Sequence, residues 1–353
     1  MKKETKTSII RFTYIGITVL VIVLIGLFDS NFKDIGKAIR NIHPAWLLGA
    51  IVCMVLYWLT DGWLLQFITN NNSENKLSYG KSLKIGLIGL YYSALTPSSS
   101  GGQPFQILYM KREKIQVGTS TCVLVLKFIA FAITVVIYFL LSLFMLGGPY
   151  LKTYPSVYLL SFLGFVLYSL AITLIILTIV NETWVLRAGN SIISFLHRIR
   201  LIKKAETAEK AKNTFEKTIE DYNSTTKYLK KNKKQMIGSV LISLLNIGFL
   251  FAITYFIYRA FGLSEYDFFY IMALQAFLYT AISYFPLPGA AGASEGGFYA
   301  IFTAFFAKNL VFMAMLIWRI LTYYIILAVG SLIVVFDELH NMKKQKEEEK
   351  ITE

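Results

Sequence analysis

The sequence predicts an all-α, polytopic integral membrane protein. Six spans are joined by two oppositely oriented, broken helical hairpins that re-enter the membrane as halves of an inverted repeat; the alternative reading of either hairpin is a kinked pair of full crossings, giving eight or more spans. Three observations carry this. Of 353 residues, 56% are hydrophobic and only 16% are charged, against about 25% charged in soluble domains. The apolar residues come in blocks of 17 to 27 rather than in amphipathic stripes, and roughly 20 apolar residues cross a bilayer core of about 30 Å. Two further apolar stretches are interrupted by Pro, Gly and Ser. Soluble, disordered, fibrous, disulfide-stapled and secreted classes are excluded.

The six blocks are Phe12–Phe28, Trp46–Ile68, Thr121–Leu146, Val157–Val180, Met236–Ala260 and Leu310–Phe336. The first follows Lys2, Lys3, Lys6 and Arg11. It is too long for a signal-peptide core and has no small-residue cleavage site before Asp29, so it is retained as a span. With a cytoplasmic N-terminus, the cytoplasmic segments hold 27 of the 35 basic residues and the opposite side holds six. That asymmetry places both termini in the cytoplasm. It also explains the net charge of +14 as topogenic flanks attracted to anionic lipid, with no nucleic-acid binding expected.

One transmembrane domain therefore covers residues 1–340. Within it, residues 181–235 form a cytoplasmic amphipathic helical segment, with Ile192, Ile193, Leu196, Ile199 and Ile202 on its apolar side. Residues 341–353 form a charged tail, as a frayed helix or a disordered segment. Cys53 and Cys122 lie inside apolar blocks as packing residues. His43, His197 and His340 show no metal-ligand spacing. No cofactor and no metal are expected.

The first break is Thr96-Pro97-Ser98-Ser99-Ser100-Gly101-Gly102-Gln103-Pro104. The second is Pro286-Leu287-Pro288-Gly289-Ala290-Ala291-Gly292-Ala293-Ser294-Glu295. Pro and Gly end helices. The two share a register, because Pro97 to Gly101 and Pro288 to Gly292 are each four apart with small residues between. Lys127 follows Gly101 by 26 residues and Arg319 follows Gly292 by 27. Paired interrupted segments in two inverted halves point to a transporter binding site. Irregular backbone at that depth is tolerated where it is buried or lines a wet cavity. Helix N-termini after each break suit an anion such as a lipid phosphate.

The candidate binding residues are Thr96, Pro97, Ser99, Ser100, Gly101, Gly102, Gln103, Lys127, Pro288, Gly289, Gly292, Ser294, Glu295 and Arg319. Charges at membrane depth are costly, so they pair or do work. Arg319 either binds phosphate or pairs with Glu295. Lys127 snorkels to the cytoplasm or faces inward. Asp61 pairs with Lys127 or couples transport to protons. Tyr91, Tyr92, Tyr284, Tyr323 and Tyr324 are further hydrogen-bonding candidates. No catalytic Ser, His and Asp set and no P-loop are visible.

At the two breaks and Arg319 the chain resembles the transmembrane domain of lysylphosphatidylglycerol synthases, over roughly residues 10–340. The resemblance implies a lipid flippase domain that moves aminoacylated phosphatidylglycerol between leaflets of the bacterial cell membrane, protecting against cationic antimicrobial peptides. In two-domain members a separate soluble domain transfers lysine from lysyl-tRNA. This chain ends 17 residues after its last predicted span, so the resemblance implies a stand-alone member. Ser98, Ser99 and Ser100 depart from the more Gly-rich form of the first break. The implied ligand is an anionic or aminoacylated phospholipid. The partners expected with it are a separate lipid-modifying enzyme and a second copy of the chain. The alternatives are a phosphatidylglycerol lysyltransferase acting with a partner domain, and a structural membrane scaffold.

Overall fold

A computed structural model describes residues 42–153, 155–180, 182–198, parts of 206–216, 233–283, 285–307 and 310–352. The block Phe12–Phe28 and Tyr284 lie outside the described residues. The described chain is helical: α1 Pro44–Asn72, α2 Tyr79–Leu95, α3 Gly102–Arg112, α4 Val117–Thr153, α5 Pro155–Val180, α6 Glu182–Arg198, α7 Lys233–Ala260, α8 Phe268–Ile282, α9 Ala293–Phe302, α10 Val311–Arg319 and α11 Ile325–Thr352. Four segments are long and apolar enough to cross a membrane: Pro44–Asn72, Val117–Leu146, Lys233–Ala260 and Val311–Asp337. Tyr158–Leu174 and Phe268–Ile282 are shorter apolar helices. Part of the stretch 181–235 is the helix α6, and the charged tail is helical to Thr352.

The block Leu310–Phe336 is matched by the apolar segment Val311–Asp337, which is long enough to cross a membrane, with one irregularity inside it. The helix changes to π-helical geometry over Ile320–Tyr324, directly after Arg319, before resuming as α11. Single π turns inside α-helices recur at functional sites. The signal was absent from the sequence because the apolar content does not change across the insertion.

Helices α1 and α7 pack antiparallel. The His43 N–H donates to the Ala260 carbonyl at one end, 2.8 Å, and Gln235 Nε2 donates to the Ile68 carbonyl at the other, 3.4 Å. This pair is the reference axis for both breaks. Helices α2 and α3 pack together as a hairpin, with Tyr92 stacked on Phe105. Both of its feet sit where α1 finishes. Asn70 brackets the Leu77 backbone at 2.7 and 3.0 Å, and Asn75 Nδ2 donates to the Lys114 carbonyl at 2.7 Å. Helices α8 and α9 form the second hairpin, with both feet where α7 finishes. There Tyr258 Oη accepts the N–H groups of Glu265 and Tyr266, and the Tyr258 ring meets Phe306 edge-on. At about 1.5 Å per residue, α3 and α9 are only ~17 and ~15 Å long, about half a bilayer core.

The tips of the two hairpins touch. The core is divided to match. The start of α1, through Ala50, Cys53 and Met54, packs with Phe277, Phe298 and Phe302 of the second hairpin. The end of α1, through Leu64, Leu65 and Ile68, packs with Ile88, Met110 and Val123 around the first. Asp61 lies at the seam. Polar groups such as Gln106, Asn246 and Gln275 are buried, while Leu159, Leu163, Leu167 and Phe144 are exposed. That is an inversion of the soluble pattern, suited to a lipid surround.

Asp337 ties the first hairpin to α11. It pairs with Lys84 on α2 and, at 2.7 Å, with Arg112 on α3. Removing it leaves two adjacent cations at the feet. Both cations are more than 40% exposed, which limits the cost to about 1 kcal/mol. We expect Asp337→Ala to lower the unfolding midpoint in detergent by about 2–4 °C per kcal/mol lost. Scanning fluorimetry checks this, and an unchanged midpoint would remove the clamp from the stability account.

Candidate functional site

The two tips are the same turn built twice. Before each turn the backbone is extended, with Thr96 at φ −117, ψ 146 and Leu287 at φ −115, ψ 145. Then Ser98 and Ser99 have φ 50 and 55, and Gly289 and Ala290 have φ 58 and 48. The Ser100 N–H closes on the Pro97 carbonyl and the Ala291 N–H on the Pro288 carbonyl, each 3.2 Å. Two consecutive positive φ angles closed this way make a type I′ turn. The register read from Pro97 and Pro288 is thus repeated in the backbone of the turn, and the two segments diverge after it: ψ is −20 at Ser100 and 138 at Ala291, and φ is −80 at Gly101 and 82 at Gly292. Three of the four left-handed positions are not glycine, and such residues hold strain of order 1–3 kcal/mol each, a feature that clusters at binding sites.

A cavity of about 740 Å³ opens where the tips meet. Of the candidate residues, Asp61, Ser99, Ser100, Gln103, Lys127, Gly289, Ser294 and Arg319 line it. Thr96, Pro97, Gly101, Gly102, Pro288, Gly292 and Glu295 do not. Several of these shape the tips. Thr96 Oγ1 donates to the Tyr92 carbonyl at 2.7 Å and accepts the Gly101 N–H at 2.8 Å. Gly102 lies where a Cβ would come within 2.6 Å of the Gly89 carbonyl oxygen.

Two ion pairs are buried here, one with each hairpin. Lys127 Nζ on α4 meets Asp61 Oδ1 on α1 at 2.7 Å. The snorkelling reading of Lys127 is therefore replaced by an inward one. Arg319 Nε meets Glu295 Oε1 at 2.6 Å, with the two side chains 4% and 0% exposed. Here the carboxylate takes the place expected for a ligand anion. Glu295 Oε2 also accepts the Gly292 N–H at 2.7 Å, which caps the start of α9 with a negative charge. Arg319 donates further to the Gly289 carbonyl at 3.0 Å and lies 4.5 Å from the Tyr323 ring. Of the tyrosine candidates, Tyr323 reaches across the seam, donating to the Ala94 carbonyl at 3.2 Å.

Sequence reasoning missed much of the polar lining. Ser93, Gln106, Asn246, Gln275, Ser283 and Thr322 also face the cavity. Asn246 Nδ2 donates to the Tyr57 carbonyl at 2.6 Å and Gln275 accepts from Thr254 at 2.9 Å. The available signal was an amide inside a strongly apolar run, which the search for charges passed over. Among the described residues, no cluster of three or more His, Cys, Asp and Glu side chains could hold a metal.

Comparisons with known proteins relate the chain to membrane proteins. The chain is 25% identical over 330 residues to a UPF0104 membrane protein of Archaeoglobus fulgidus, covering 90% of this chain and 94% of the relative. A family model described as the lysylphosphatidylglycerol synthase TM region matches residues 13–330. With its all-helical fold and its apolar exterior, the chain is membrane-embedded and belongs to the lysylphosphatidylglycerol synthase TM region family.

Proposed function

We propose that this protein is a lipid translocase of the cell membrane, handling an anionic or aminoacylated phospholipid. Its topology on this reading is six spans with both termini cytoplasmic. The two hairpins enter from opposite faces as an inverted repeat, and the tail of the lipid stays in the bilayer while its headgroup crosses at the tips. The carrying observation is the cavity of about 740 Å³ at the meeting of the two hairpin tips, lined by serines, amides and Lys127 inside a bundle with an apolar exterior. A headgroup crossing the core unaided loses its hydrogen bonds with water, and a polar chamber at mid-depth replaces them. Feet at opposite ends of the α1–α7 pair support alternate access, with each hairpin serving as the barrier on one side. No ATP-binding motif accompanies the site, so movement runs downhill or is coupled to an ion gradient.

The test is headgroup accessibility in proteoliposomes containing fluorescent phospholipids with a membrane-impermeant quencher outside. We expect the wild-type protein to expose the inner-leaflet lipid within minutes. Lys127→Gln is expected to slow exposure about tenfold or more, the equivalent of ~1.4 kcal/mol in the barrier. Exposure no faster than in protein-free vesicles would sink the translocase reading.

A further inference from the structure

We infer that Asp61 is a proton-binding site. It takes up one proton whenever its pair with Lys127 opens, and so couples the movement of a lipid anion to a proton gradient. This rests on the translocase reading and supplies its coupling ion.

Two buried carboxylates near the tips are held differently. Glu295 lies outside the cavity lining, and both of its oxygens are engaged, Oε1 by Arg319 and Oε2 by the Gly292 N–H. Opening that pair would undo the α9 cap and the tip together, so it stays closed. Asp61 lines the cavity and is 5% exposed. Its Oδ1 meets Lys127, while its Oδ2 has no hydrogen-bond partner among the described residues.

The surroundings of Asp61 offer no second counter-charge among the described residues. From α2, Gly86 lies against Oδ2, and Lys81 and Lys84 are turned to Glu113 and Asp337. From α7, the amide of Asn246 reaches the Tyr57 carbonyl and Thr60 Oγ1, and the cations Lys233, Lys234 and Arg259 lie at the ends of that helix. Tyr57, one turn back on α1, is a phenol. The π turn also packs against α1, and its Tyr323 and Tyr324 sit with Arg319. Lys127 alone balances this carboxylate among the described residues.

Charge balance then calls for a proton. A lipid phosphate that paired with Lys127 would leave Asp61 ionised and alone at depth, a costly state in a low-dielectric core. One proton on the carboxylate removes that cost. The phosphate then sits on the Lys127 ammonium, Asp61 is a carboxylic acid, and the site has gained one negative and one positive charge. When the lipid leaves, Asp61 releases its proton to the same side and closes on Lys127 again. One proton and one lipid anion cross together in the same direction, with no net charge moved.

Wild-type protein in detergent, titrated with dihexanoyl-phosphatidylglycerol in buffers of different ionisation enthalpy, is expected to take up about one proton per lipid bound. Binding without proton uptake overturns the site. Infrared difference spectra at neutral pH assign the proton. Lys127→Gln is expected to gain a protonated-carboxyl band that the wild type lacks, and Asp61→Asn/Lys127→Gln to lack it again. Each variant is expected to hold no net charge at the site, which guards its folding. A Lys127→Gln spectrum without the band overturns the assignment to Asp61. In proteoliposomes, a gradient of one pH unit, acid outside, is expected to gather a trace of tail-labelled phosphatidylglycerol in the inner leaflet. The ratio should approach about tenfold at one proton per lipid, beyond any shift in protein-free vesicles. Asp61→Asn is expected to leave the label evenly spread, and a response equal to wild type would overturn the site. If the label crosses in the wild type but ignores the gradient, the proton site is overturned while the translocase reading stands. If no label crosses, the translocase reading fails and the coupling falls with it.

Discussion

Glu295→Gln is expected to destabilise the protein by about 3–5 kcal/mol, because it leaves the Arg319 guanidinium, 4% exposed, without its counter-charge. Arg319→Gln should cost a similar amount by stranding the carboxylate, although the Gly292 N–H still satisfies one oxygen. The double variant Glu295→Gln/Arg319→Met separates a lost charge pair from a lost shape. It removes both charges, and the Gln carbonyl oxygen can keep the Gly292 N–H. Most of the single-variant loss should return, since replacing a whole buried pair is often close to neutral. Thermal or denaturant unfolding in detergent, arranged as a double-mutant cycle, measures the coupling. Additive single losses would show that the two side chains contribute independently. Translocation by the double variant is expected to persist, because on our reading the headgroup binds at Lys127.

This division of labour was only half legible in the sequence. The register of Pro97 with Pro288 was readable, and the backbone repeats it because a tight turn demands few residue types at fixed offsets. The four charges at depth were readable because an apolar block makes any charge conspicuous. Their partners were readable only as alternatives, Arg319 with Glu295 and Asp61 with Lys127, and the structure joins both pairs. Asp61 and Lys127 lie 66 residues apart on two helices, and one register shift in α1 against α4 would separate them. Glu295 was taken as a lining residue, yet it faces the start of its own helix, because a Glu three residues after the cap reaches back to the cap N–H. The π turn and the buried amides were silent for the opposite reason. They alter hydrogen bonding without altering the apolar pattern that sequence reading follows.

The tips themselves offer the sharpest test of how closely the halves must meet. An added methyl group at Gly289 would lie 2.2 Å from the Tyr323 ring, at a φ of +58. Alanine there carries about 1–2 kcal/mol of left-handed strain, and it must also push away the ring that bridges to Ala94. Gly102→Ala would act on the other hairpin, with its methyl 2.1 Å from Ser93 Oγ and 2.6 Å from the Gly89 carbonyl oxygen. Overpacking of that kind costs about 1–3 kcal/mol. We expect both variants to slow translocation about tenfold or more, since a barrier change of ~1.4 kcal/mol is enough. Gly80→Ala and Gly296→Ala meet nothing within 4 Å and should keep wild-type rates, even though each lies in a hairpin helix. Helix propensity favours alanine at both control positions by roughly 0.5–1 kcal/mol, so their unfolding midpoints should hold or rise. Equal slowing at all four positions would mean that any stiffening of the hairpins stops the lipid. Equal wild-type rates at all four would mean that the headgroup passes somewhere other than the seam between the tips.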